Sequence, residues 1–147
     1  MTDTCPEPMR HGLRGARVLV VDDDPAVRDA IADILELQDV EVTVAADTAS
    51  GLRLGRALAG RLDAIVLDLF LPDAPQADVV SPWRQACPGA GLLLVSGADA
   101  ELAERLAGPS GGWRLLPKPF GLDELVAALS DVLRSAEQRR GSPPAKA

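Results

Sequence analysis

Histidine is almost absent from this chain: His11 is the only one in 147 residues. That excludes any catalytic triad or metal site that needs two imidazoles. Cysteine is nearly as scarce. Cys5 and Cys87 lie far apart and form no ligand motif, so they read as two unpaired thiols in a reducing compartment. No apolar run approaches the length of a membrane span. The first sixteen residues carry Arg10, His11 and Arg14 but no apolar stretch, so no signal peptide is expected. Basic residues number 15 against 22 acidic ones, for a net charge of −7. Non-specific attraction to nucleic acid or to an anionic membrane surface is therefore disfavoured. Hydrophobic residues, at 47% of the chain, suffice for a sizeable core, and the length suits one domain.

The ends differ from the middle. Residues 1–15, with Pro6, Pro8, Gly12 and Gly15, read as a flexible lead-in. Residues 136–147, polar and Pro-rich, read as a disordered tail. Between them, over 16–135, strand and helix patterns alternate. Val18–Val21 is a short all-apolar run, as in a strand covered on both faces. Asp24 offers an N-cap and Pro25 an N1 residue for a helix to about Leu37, with Val27, Ile31, Ile34 and Leu35 at helical spacing. Glu41–Ala45 reads as an edge strand. A weaker helix is predicted from Thr48 to about Ala59, with Leu52 and Leu58 on one face. Asp63–Leu67 is the third strand. The stretch to Val80 holds Pro72 and Pro75 and reads as a long loop. Ser81 is expected to cap a short helix ending near Ala86. Leu92–Val95 is the fourth strand, and Asp99 to about Ala107 the next helix. The run Trp113–Leu116 makes the fifth strand. A last helix from about Gly121 to Arg134 carries Leu122, Leu125, Val126, Leu129, Val132 and Leu133 on one face. Five βα units imply an α/β fold with a doubly wound five-stranded parallel sheet in the order 2-1-3-4-5.

That order brings the ends of strands 1, 3 and 4 together, where open α/β sheets bind ligands. Strand 1 runs into Asp22-Asp23-Asp24, strand 3 into Asp68 and strand 4 into Ser96, while strand 5 leads through Pro117 to Lys118. Three carboxylates in one cleft repel one another, and a divalent cation resolves that conflict. Mg²⁺ suits a few carboxylate oxygens together with a phosphoryl oxygen. One carboxylate can then act as nucleophile and form an acyl phosphate, while Lys118 and the Ser96 hydroxyl hold remaining phosphoryl oxygens.

These segments, Val-Val-Asp-Asp-Asp-Pro at 20–25, Leu-Asp-Leu-Phe-Leu-Pro-Asp at 67–73, Val-Ser-Gly at 95–97 and Lys-Pro-Phe at 118–120, resemble the receiver domain of bacterial two-component response regulators. The resemblance covers roughly 16–135 and implies a flavodoxin-like (βα)₅ fold. It makes Asp68 the phosphoacceptor and Ser96 the switch hydroxyl, and it pairs Lys118 with the phosphate. Asp23 would bind Mg²⁺ directly and Asp22 largely through water, with the Phe70 backbone carbonyl as a further ligand. Lys118–Pro119 would be a cis peptide. The implied role is a cytoplasmic phosphorelay receiver, not an enzyme with turnover. Its donor would be a histidine kinase or a histidine phosphotransfer protein. Its output would be a downstream protein target, with no direct nucleic acid and no membrane. A stand-alone receiver is the first expectation.

Three departures from the family pattern stand out. The stretch 73–80 lacks the usual Asp-Gly pair, so the loop after Asp68 and the third helix are expected to be remodelled. Leu115 replaces the aromatic that family members carry three residues before the Lys. Trp113, on the same strand face, is the candidate substitute. Phe70, two residues after Asp68, cannot orient a water, so slow self-dephosphorylation is expected. Two alternatives remain open: an unphosphorylated pseudo-receiver scaffold, and a haloacid-dehalogenase-like phosphatase using the Asp22-x-Asp24 pair.

Overall fold

The computed structural model describes residues 13–108 and 112–141. Its elements alternate as β1 Arg17–Val21, α1 Pro25–Leu37, β2 Glu41–Ala45, α2 Thr48–Ala57, β3 Ala64–Asp68, α3 Val80–Ala86, β4 Gly91–Ser96, α4 Ala100–Ala107, β5 Trp113–Pro117 and α5 Leu122–Gly141. All five strands are parallel, in the order β2-β1-β3-β4-β5, as the sequence predicts.

Alternation along the strands divides the core in two. Leu19, Val21, Ile65, Leu67, Leu92 and Leu94 face one side, with Trp83 of α3 and Ala103 and Ala107 of α4. Val18, Val20, Val66, Leu93 and Val95 face the other, with Ile31 and Leu35 of α1 and Leu125 and Leu129 of α5. Every residue of β3 and β4 is buried, which is why both runs read as continuously apolar. Three helices begin on an aspartate side chain: Asp24 accepts from Ala26 N–H at 3.0 Å, Asp47 from Ser50 N–H at 2.8 Å, and Asp99 from Leu102 N–H at 2.9 Å.

The termini differ from expectation. Leu13 and Ala16 are buried in the second core layer, and Gly15 N–H donates to Asp39 O at 2.9 Å, so the ordered fold begins before residue 16. Residues 1–12, with His11 and Cys5, lie outside the described residues. The expected disordered tail at 136–147 is corrected in its first half: α5 continues to Gly141. Ala136 is fully buried, and a Cβ on Gly91 would lie 3.3 Å from its methyl. A small residue extends the apolar face where the polar composition suggested an end. Residues 142–147 lie outside the described residues.

The stretch after Asp68, where the sequence lacks the expected glycine, is a long loop that leads into a short third helix. Helix α3 has only seven residues, and Ser81 does not cap it. Ser81 sits inside the first turn and donates its hydroxyl to Asp78 Oδ2 at 2.8 Å. Asp78 itself takes a left-handed φ of 52°, a conformation that glycine would reach without strain. The next residue, Val79, donates its N–H to Leu106 O at 2.8 Å, which ties the loop to the end of α4.

Helix α2 holds a different surprise. Its buried residues are Thr48, Gly51 and Gly55, while Leu52 and Leu58 are only partly buried. A Cβ on Gly51 would sit 2.6 Å from the Trp83 ring, and one on Gly55 would sit 2.9 Å from Cys87 Sγ. Two glycines one turn apart thus receive the Trp83 ring of α3 and the thiol of Cys87, the residue that ends that helix.

Candidate functional site

Each predicted site residue lies at the carboxyl edge of the sheet. Asp22 follows β1, Asp68 ends β3, Ser96 ends β4 and Lys118 follows β5. Asp22, Asp23 and Asp68 each offer a carboxylate oxygen, all within 4.8 Å of one another. Asp22 and Asp68 are 2% and 6% exposed, whereas Asp23 is open to solvent. Lys118 Nζ lies 3.4 Å from Asp68 Oδ2 and 3.5 Å from Asp22 Oδ2, closing the group from the β5 side. The remaining oxygens are tied to the backbone: Asp24 N–H donates to Asp22 Oδ1 at 2.9 Å, and Phe70 N–H donates to Asp68 Oδ1 at 3.0 Å. Ser96 is buried, and its Oγ accepts from Ala98 N–H at 3.0 Å. Lys118 N–H donates to Ser96 O at 2.8 Å, which docks the end of β5 on the end of β4. The Lys118–Pro119 peptide is cis, as expected. An all-oxygen donor set of this kind fits a hard divalent cation such as Mg²⁺.

The electrostatics are strained without a cation. Burial pushes the Asp22 carboxyl above the ordinary value, and the Asp68 charge adds to this, against the pull of the Asp24 N–H and Lys118. The native state therefore binds the Asp22 proton more tightly than the unfolded chain does. From this group, stability is greatest below about pH 4, the unfolded carboxyl range, and is lost as pH rises through the folded value. In Mg²⁺-free buffer, Asp22→Asn is expected to melt above the parent at neutral pH, because it removes a buried charge, and the difference is expected to shrink towards acid pH. Thermal melts across the acid-to-neutral range check this. A melting temperature for Asp22→Asn equal to or below that of the parent at neutral pH would contradict it.

Two residues that the sequence reading passed over belong to the site's frame. Arg28 Nη1 donates to the main-chain O of Asp22 at 3.0 Å. The signal for it was a cation near the start of α1, where the helix dipole disfavours positive charge. Asp73, on the loop after Asp68, accepts from Thr48 N–H at 2.8 Å and Ala49 N–H at 3.1 Å, bolting that loop to the start of α2. Burial pushes the Asp73 carboxyl up, but those N–H groups outweigh it and leave the group below the ordinary range.

Other candidates fall away. Asp24 is committed to capping α1, which removes one acid of the Asp-x-Asp pair that a phosphatase would need. Trp113 shares a core layer with Leu115, but it pairs with Leu92, four rungs below the Ser96–Pro117 pair. At about 3.3 Å per rung its main chain stands some 13 Å along the strand from that pair, at the far end of β5 from the acidic cluster. Cys87 is buried and free, and burial pushes its thiol up, away from reactive thiolate.

Residues 18–130 match the family model described as the response regulator receiver domain. The chain belongs to the response regulator receiver family. The receiver is 36% identical over 118 residues to the probable transcriptional regulatory protein TcrX of Mycobacterium tuberculosis, covering 80% of this chain and 49% of that protein. It is 35% identical over 126 residues to the response regulator MprA of Mycobacterium sp. strain KMS, covering 85% and 54%. The chain thus spans about half the length of these curated relatives. Its fold matches a receiver domain protein from Clostridium thermocellum with a TM-score of 0.72 at 22% identity, covering 84% of this chain and 98% of that one. It also matches a Burkholderia pseudomallei response regulator solved with a phosphorylated aspartic acid, a calcium ion and citrate. That match has a TM-score of 0.68 at 24% identity and covers 86% and 75%. Membership makes this chain a phosphorelay receiver of two-component signalling. Among the described residues, no helix is long and apolar enough to cross a membrane.

Proposed function

We propose that Asp68 accepts a phosphoryl group from the phosphohistidine of a kinase or phosphotransfer protein. Mg²⁺ would be held by Asp22, Asp23, Asp68 and the Phe70 main-chain carbonyl. The observation that carries this reading is the meeting of three carboxylates within 4.8 Å, with an ammonium 3.4 Å from one of them. When bound, Mg²⁺ supplies positive charge to the phosphoryl oxygens. The chain supplies the rest. Asp68 is fixed by the Phe70 N–H and presents a carboxylate oxygen to phosphorus as the bond to the donor nitrogen breaks. Lys118, already between Asp22 and Asp68, takes up the charge of the new acyl phosphate. The Ser96 hydroxyl gives up the Ala98 N–H and donates to a phosphoryl oxygen.

The receiver modifies itself and turns over no separate substrate, so it is not an enzyme in the ordinary sense. Its output goes to a protein target in the cytoplasm. The acidic net charge of −7 supports this over direct contact with nucleic acid. The phosphorylated aspartate and calcium ion in the Burkholderia structure support the assignment by analogy.

Incubation with a small acyl phosphate and Mg²⁺ is expected to add the mass of one phosphoryl group, and chelation by EDTA to prevent it. Phe70 is 45% exposed and has no group to orient a water, so the modified protein should persist for minutes after donor removal. An unmodified intact mass under saturating donor and Mg²⁺ would refute the reading and leave a scaffold.

A further inference from the structure

We propose that Arg28 is a positioning residue for cation binding, acting through the peptide that joins Asp22 to Asp23. The inference rests on the reading of the acidic cluster as a Mg²⁺ site and extends it to a residue outside that cluster.

The three acids are not held alike. Asp68 is locked by its strand, by the Phe70 N–H and by Lys118. The Asp22 side chain is locked by the Asp24 N–H and Lys118, and its own N–H donates to Ala45 O at 3.2 Å. Asp23 is exposed, and its carboxylate has no hydrogen-bond or ion-pair partner among the described residues. Its position is therefore set by the backbone alone, and the peptide plane before it is the one whose carbonyl Arg28 holds at 3.0 Å. Arg28 lies one turn into α1, where its N–H donates to Asp24 O at 2.9 Å, so the tie joins a rigid helix to the acidic turn. Without it, a buried carbonyl loses its partner and the plane carrying Asp23 is free to rotate.

Charge and position make opposite predictions here. A guanidinium beside a cation site repels the cation, so removing it as a charge alone would tighten Mg²⁺ binding. Removing it as a positioning group loosens binding, as loss of a ligand-orienting partner does elsewhere, by about tenfold or more. Methionine keeps the unbranched stem and its packing while deleting every donor.

The experiment is Mg²⁺ titration of the full chain by isothermal calorimetry, for the parent, Arg28→Met and Arg28→Lys. The expected result is a Kd raised about tenfold in Arg28→Met and recovered to within about threefold in Arg28→Lys, because a single bond to a carbonyl needs only one donor. Amide exchange at Asp23 and Asp24 in Mg²⁺-free protein should also quicken in Arg28→Met, a readout independent of the metal. An Arg28→Met Kd within twofold of the parent's, or lower than it, overturns the inference. A parent chain that binds no Mg²⁺ instead overturns the site reading beneath it.

Discussion

Asp68→Asn is expected to take up no phosphoryl group from either a small acyl phosphate or a phosphorylated kinase, a loss of at least about 10³-fold in rate. The substitution is nearly isosteric. The carboxamide oxygen can still accept the Phe70 N–H, and Lys118 keeps its contact with Asp22. Folding should therefore survive, and what disappears is the one anionic oxygen able to attack phosphorus. The result separates Asp68 from its neighbours, because Asp22 and Asp23 lie within 4.8 Å of it and are also carboxylates. Intact-mass measurement over a donor time course reads the outcome. Uptake by Asp68→Asn at the parent rate would mean that another residue carries the phosphoryl group. Peptide mapping would then direct attention to the β1–α1 turn.

The largest structural effect is expected at Trp83, far from any chemistry. It is 1% exposed and the largest of the fully buried side chains, and it anchors a helix of only seven residues. Trp83→Ala should cost about 3–5 kcal/mol, a large share of the roughly 5–15 kcal/mol that holds a domain together. Urea unfolding would show a markedly lower midpoint. A second substitution makes the argument specific. In the parent, Gly51→Ala drives a methyl to 2.6 Å from the indole and 3.1 Å from Val21, so it should destabilise despite alanine's better helix propensity. In the Trp83→Ala background the indole is gone and only the Val21 contacts at 3.1 and 3.3 Å oppose the propensity gain of about 1 kcal/mol, so Gly51→Ala is expected to cost much less there. The two changes together should then cost less than their sum. Strict additivity would mean that α2 and α3 do not interlock as described.

These two regions were legible in the sequence to very different degrees, for a physical reason. The site was visible because apolar runs that end abruptly in Asp22, Asp68 or Ser96 mark strand ends, and a parallel sheet gathers strand ends on one edge. The contact between α2 and α3 was not visible, because Gly51 and Gly55 pack through what they lack. Periodicity counts large side chains, and it pointed instead to Leu52 and Leu58. The same bias shortened α5, where Ala136 continues the buried face too modestly to register beside arginines and glutamines. Arg28 was hidden differently: its partner is a main-chain oxygen, and backbone acceptors leave no trace in residue identity. The missing glycine marked the loop after Asp68 as a departure in sequence. How Asp78 would absorb the strain, in a left-handed turn clasped to the end of α4, required three-dimensional information.

The strand order has a consequence for how the molecule is made. β1 lies in the sheet's interior, β2 joins it on one side and β3 on the other, and β4 and β5 follow outward in turn. Synthesis proceeds in that same succession, so each new strand leaving the ribosome meets a sheet margin that is still vacant. No strand has to be wedged between two that have already paired, and assembly can keep pace with translation from the first hairpin-free pair to the last.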